Sequence, residues 1–153
     1  MDIFKFWSGI GRDAHIHPRD EAVFKRLSEN GHRFNHNSLP GCFMGRLRDA
    51  PVVLLFMSPG FSPEDEVSAN DPEWQDWHFR QRSGYEPLPD VKTPAGQWWT
   101  KRVKVFGLTP AIAASRVAFL NIGSYKSREM YDPELLAALP SSRATLDWAQ
   151  QEL

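Results

Sequence analysis

The sequence predicts an α/β fold: a three-layer α/β/α arrangement around a parallel sheet, with two core strands at about 52–57 and 116–122. Three observations carry this. Val52 to Met57 and Val117 to Ile122 are apolar runs without alternation, the pattern of strands covered on both faces. Between them Thr93-Pro94 opens a helical pattern with Trp99, Val103 and Phe106 on one stripe, so strand, crossover helix and strand form a βαβ unit. At 153 residues the chain suits one domain and is too short for an eight-fold barrel.

The elements follow in order. Residues 18–30 read as a helix: Pro18 suits a first turn, Asp20 and Glu21 favour its positive end, Val23, Phe24 and Leu27 share a face, and Asn30-Gly31 is a stop. Residues 31–50 read as irregular, with a turn at Leu39-Pro40-Gly41. Pro51 opens the first strand and Pro59-Gly60 closes it. Residues 61–92 are polar, acidic and proline-containing, and read as a long loop with a short helix around Trp74–Phe79. Gly107 ends the crossover helix, and of Trp98-Trp99 one ring belongs in the core and the other near the surface. After the second strand, Asp132-Pro133 caps a helix running to Leu139, and Ser141-Ser142 caps another carrying Leu146, Ala149 and Leu153. Two parallel strands make a poor complete sheet and the last helical pattern has no stop signal, so a truncated chain with further strands beyond Leu153 is expected.

Composition narrows the function classes. A single cysteine, Cys42, excludes an internal disulfide and a cysteine metal cage, and fits a reducing, cytoplasmic setting. The sequence carries neither an N-terminal apolar leader pattern nor an apolar run of membrane-spanning length. The net charge of −1 hides an asymmetry. Residues 64–90 hold eight acids against Arg80 and Arg82, whereas residues 92–128 hold seven bases and no acid. The basic stretch can form a local phosphate patch or stay scattered in solvent.

The candidate site is the carboxyl end of the first strand, where ligands of open α/β sheets bind. It holds Ser58-Pro59-Gly60-Phe61-Ser62-Pro63, followed by Glu64 and Asp65. Asn121 and Ser124-Tyr125-Lys126-Ser127 stand at the matching end of the second strand, so both loops are expected to meet in one crevice. The Asn121 amide could read a base edge or tie down a neighbouring loop. His15-Ile16-His17 resembles the opening of an amidohydrolase metal motif, but the barrel that motif needs has no room here. His32 and His36 lie one helical turn apart in a segment without helical character. No metal and no cofactor are expected. Ser58 lacks the Gly-x-Ser-x-Gly setting of a hydrolase nucleophile, and the glycines form no P-loop or dinucleotide fingerprint.

Phe56-Met57-Ser58-Pro59-Gly60 after a strand, continued by Phe61-Ser62, resembles the first motif of the uracil-DNA glycosylase superfamily. Asn121 is similar to the asparagine that contacts the flipped base in several of its branches. The resemblance spans roughly residues 50–153. It departs where the family has glycine, Glu, or Asp or Asn: these positions are Phe56, Met57 and Ser58 here. The family's His-Pro-Ser-type loop would follow two further strands. The resemblance implies Ser58, Glu64 and Asp65 as catalytic candidates and Pro59, Gly60, Phe61, Asn121 and Tyr125 around the base. It implies Lys101, Arg102, Lys126 and Arg128 on phosphates, with DNA or a nucleotide as partner. It therefore implies a glycosylase-like protein acting on a flipped or modified base, with cleavage not secured by its residues. The alternatives are a non-catalytic nucleotide or nucleic-acid binding domain, and a small-molecule enzyme using the same crevice.

Overall fold

The computed structural model describes residues 2–27, 33–129 and 133–153. Its sheet has three strands in the order β1 (Phe43–Met44), β3 (Val117–Asn121), β2 (Val52–Phe56). β2 and β3 are parallel, Val52 opposite Val117 and Phe56 opposite Asn121, as the crossover predicts. β1 lies on the other side of β3 and is antiparallel, Phe43 opposite Leu120. The sheet is therefore mixed rather than parallel throughout. The added strand falls in the segment expected to be irregular, and two residues are too few to leave a periodic signature.

The two apolar runs have different fates. Every residue of β3 is buried. β2 is an edge strand: Val52 is 44% exposed, Leu55 47%, and Met57 just beyond it 50%. The expectation that both strands would be covered on both faces holds for β3 alone. Alternation along β3 sends side chains to two separate cores. Ala118 and Leu120 pack with Phe43, with Ile3, Phe4, Phe6 and Trp7 of α1 (Ile3–Ser8), and with Ala144 and Trp148 of α8 (Pro140–Glu152). Val117 and Phe119 pack with Trp99 and Val103 of α5 (Pro94–Lys104), Ala113 of α6 (Pro110–Arg116) and Leu88. Cys42 is buried beside the first of these cores, and burial pushes its thiol up to about 12.

Local chemistry explains the helix boundaries. The Asp2 carboxylate accepts the Phe4 N–H at 2.8 Å and starts α1. The expected helix at 18–30 is α2 (Glu21–Leu27); Pro18 falls in the turn before it, and Asn30-Gly31 lies outside the described residues. The long acidic loop contains the helix expected around Trp74–Phe79, as α4 (Pro72–Gln81), and also α3 (Glu64–Ser68), which was not expected. Asp71 accepts the Glu73 N–H at 2.9 Å and Pro72 sets the first helical φ, which together start α4. The Thr93 hydroxyl accepts the Gly96 N–H at 3.0 Å and opens α5 at the predicted place. The ring of Trp99 is buried and that of Trp98 half-buried, as the pair predicts.

A third core gathers Val23 and Phe24 of α2, Phe34, Tyr125, and Leu135, Leu136 and Leu139 around α7 (Pro133–Ala138). Asp132, the expected cap of α7, lies outside the described residues. Within the third core the buried Asp20 carboxylate accepts the Tyr125 hydroxyl at 2.6 Å and the Ser141 N–H at 3.0 Å. Asp20 thereby serves the first turn of α8. Ser141 and Ser142 do not cap it: α8 begins at Pro140, and both serine hydroxyls are buried inside the turn. Its buried face is Ser141, Ala144, Thr145 and Trp148, while Leu146 and Leu153, placed on the core stripe by their spacing, are exposed.

Candidate functional site

Beyond their carboxyl ends β2 and β3 continue side by side. Gly123 N–H donates to Met57 O at 2.7 Å, Ser127 N–H donates to Pro59 O at 3.3 Å, and Gly60 forms a parallel bridge with Ser127. The two loops expected to share a crevice are therefore joined directly. A third segment reaches the same place from the opposite side. Asn121 N–H donates to Cys42 O, Gly41 N–H donates to Ser124 O, and Asn35 N–H donates to Lys126 O at 2.8 Å, with an antiparallel bridge there.

The three segments enclose a cleft of about 440 Å³ lined by Arg33, Phe34, Asn35, Phe61, Ser127, Arg128 and Glu129. The Arg128 guanidinium lies 5.5 Å over the Phe61 ring, within cation–π range, and Arg128 is exposed. Arg33 pairs with Glu129 at 3.2 Å across exposed side chains. Ser127 is 5% exposed, and its hydroxyl finds no hydrogen-bond partner among the described residues. The floor thus combines an aromatic face, a cation and a polar hydroxyl not yet used.

The residues singled out from the sequence divide three ways. Phe61 and Arg128 line the cleft. Pro59 and Gly60 form its flank through the pairing with Ser127. Others hold the loops in place. Lys126 Nζ meets Asp65 Oδ1 at 3.0 Å in a largely buried ion pair. Asp65 also accepts the Ser62 N–H at 2.7 Å, so its carboxylate binds the 62–65 turn to the end of β3. The Asn121 amide donates to Gly41 O at 2.7 Å and ties down the third segment, the second of the two roles open to it. Glu66, which sequence reasoning did not single out, accepts from Asn35 and Asn37 and fixes that segment further. The remaining residues stand elsewhere. Tyr125 is buried in the third core on Asp20, and burial first, then Asp20, raises its phenol. Lys101 and Arg102 lie on α5 and do not line the cleft; the Arg102 guanidinium sits 3.7 Å from the Trp98 ring. Glu64 is exposed in the first turn of α3, and Ser58 is half-buried behind Pro59 in sequence.

His17 and His36 serve packing. His17 is buried and stacks on Phe6 at 4.0 Å between ring centroids. Its Nδ1 accepts the Arg19 N–H, so Nε2–H donates to Phe6 O at 3.0 Å, which fixes the tautomer. Desolvation lowers its pKa against the pull of that carbonyl. His36 packs on Phe24 and Tyr125, and His32 lies outside the described residues. Among the described residues no group of three or more His, Cys, Asp or Glu could hold a metal ion, and no helix is long and apolar enough to cross a membrane.

Arg33, Phe34 and Asn35 were not singled out. Their place depends on the register of a segment pairing with residues 120–126, and no local pattern encodes that. No family model, no curated protein and no solved structure matches this chain.

Proposed function

We propose that this cleft binds an unstacked base and its adjoining phosphate in nucleic acid, and that it binds without cleaving. The carrying observation is the pairing of Phe61 with Arg128 in a cleft that Ser127, with its unpartnered hydroxyl, also lines, at the carboxyl ends of two parallel strands. An aromatic face accepts any base, and a neighbouring guanidinium suits a phosphate. Ser127 supplies a hydrogen bond that the protein itself leaves open. This is the binding half of what the glycosylase resemblance implies. Helical clusters on both faces of β3 support the three-layer scaffold of that superfamily. The single buried thiol fits a cytoplasmic setting.

The catalytic half has less support. Water activation needs a carboxylate free to take a proton. Asp65 is paired with Lys126 and holds Ser62, Glu64 is exposed in the first turn of α3, and Glu129, the carboxylate that lines the cleft, is paired with Arg33. The test is fluorescence anisotropy with a labelled single-stranded or mismatched oligonucleotide at low and higher salt. Affinity is expected to fall with salt, and Arg128→Ala to reduce the log–log slope by about 0.7 for one lost phosphate contact. Phe61→Ala is expected to weaken binding by about 1–3 kcal/mol, one lost stack. An absence of binding at low salt overturns the proposal. Release of free base from a uracil-containing strand, abolished by Asp65→Asn, would overturn the non-catalytic part of it.

A further inference from the structure

The acid-free basic stretch at 92–128 contains a turn where apolar side chains stand in water among cations. α5 ends at Lys104, the Phe106 N–H donates to Val103 O at 3.0 Å, and Gly107 turns the chain at φ +70° towards α6. This stop carries Phe106 off the buried stripe of Trp99 and Val103, on which its spacing places it. Phe106 is 61% exposed, and Val105 beside it 79%. Ile112 on α6 is exposed as well, and a Cβ at Gly107 would meet nothing within 4 Å. Folding therefore leaves a cluster of large apolar side chains on this turn unburied.

The cations belong to the same two helices. Lys101 and Lys104 stand three residues apart on α5, and Arg116 follows Ile112 by four on α6, so each pair shares a helix face. α5 and α6 pack against each other. All three cations are exposed, and among the described residues none of them forms an ion pair. The acid that precedes β2, Asp49, is taken by Arg46.

We propose that this turn docks on an anionic phospholipid surface, with Val105 and Phe106 entering the acyl boundary and Lys101, Lys104 and Arg116 meeting headgroup phosphates. Three features choose this occupant. Binding to such an interface needs apolar area to bury and cations to meet anionic lipid, and the turn offers both, with the cations unpaired. Open space surrounds Gly107, so the turn presents a tip and no groove in which a peptide could lie. Two of the three apolar side chains, Val105 and Ile112, are aliphatic and have no ring to stack on a base, whereas hydrocarbon accepts all three. Among the described residues no helix is long and apolar enough to cross a membrane, so the contact is with the surface. None of these residues lines the strand-end cleft, which keeps its own ligand.

Cosedimentation with phosphatidylcholine vesicles, with and without phosphatidylserine, tests this. The chain is expected to bind the phosphatidylserine vesicles about a hundredfold more tightly than the neutral ones, at about fivefold for each of three cations, and to be released by salt. Lys101→Ala with Lys104→Ala is expected to weaken that binding about 25-fold. Phe106→Ser is expected to weaken it too, with an unchanged far-UV spectrum. Val105→Cys carrying an environment-sensitive fluorophore supplies a second readout should the serine disturb folding, because the native Cys42 is buried. Its emission is expected to shift to the blue on phosphatidylserine vesicles as the label leaves water. A chain that ignores these vesicles at low salt overturns the proposal. So does equal binding to neutral vesicles, binding that Phe106→Ser leaves intact, or a label whose emission does not move. An oligonucleotide affinity that falls with Phe106→Ser while vesicles go unbound would assign the turn to nucleic acid instead.

Discussion

The Tyr125 hydroxyl stands between two buried partners, donating to Asp20 and accepting the His17 N–H at 3.1 Å. Tyr125→Phe removes one atom and leaves both without it. The expected loss is about 1–3 kcal/mol, the cost of orphaned buried polar groups, read as a lower urea midpoint with an unchanged slope. A midpoint that does not move would show that the Asp20 carboxylate finds another donor. His78 gives a pH dependence. It packs against Trp74 and Trp77 on α4. Burial first, then the positive charges of Lys126 and Arg82, pushes its pKa down to about 3. The native ring stays neutral while the unfolded one takes a proton below its ordinary value of 6.5. The unfolded state thus binds more protons as pH falls, so stability complete above about 6.5 is lost progressively towards about 3. Near pH 5 this amounts to about 2 kcal/mol. It is measured as the difference in urea midpoint between wild type and His78→Phe at neutral and acid pH, and equal pH profiles for the two chains would contradict it.

At the scale of elements, legibility depended on whether a segment's own residues carried its signal. Thr93-Pro94 announced α5 because cap and first turn are local chemistry. Gly96 within it is a packing requirement: a Cβ there would overlap the Asp90 carbonyl. Gly96→Ala is therefore expected to destabilise the fold, although alanine is the better helix former by about 1 kcal/mol. Thermal melting checks the sign, and a raised midpoint would mean that the 89–92 segment can retreat. α1 escaped notice because its six residues offer only Lys5 and Ser8 as a polar face, too little to define a period. The helix expected around Trp74–Phe79 is α4, and Asp71-Pro72 is the local signal that sets its start a little earlier. In α8 two faces have helical spacing. The one of small residues beside Trp148 is buried against α1 and β3, while Leu146 and Leu153 of the more apolar-looking stripe are exposed and Ala149 is half-buried.

For the whole molecule, the sequence located the junction of two strand ends but not what completes it. Pro59, Gly60 and Phe61 could be found because a strand followed by Pro-Gly is a local signal, and Arg128 because it ends an acid-free basic stretch. On paper Lys126 was a phosphate contact, Asp65 a catalytic candidate and Asn121 either a base reader or a loop tie. Their partners across the fold give them other work, and those partners lie 61 residues away for Lys126 and 80 for Asn121. Asn35 arrives through pairing with Lys126 and the Glu66 carboxylate. The same convergence of distant segments surrounds Cys42, whose carbonyl accepts from Asn121 and whose thiol is held protonated. A thiolate is the reactive form and the thiol is buried in the first core, so labelling by a thiol reagent waits on the opening of that core. The protein thus contains its own clock for that opening. In native buffer, labelling is expected to be slow and to accelerate with urea in step with loss of tryptophan signal, whereas prompt labelling would mean that the core around Cys42 opens while the rest of the chain stays folded.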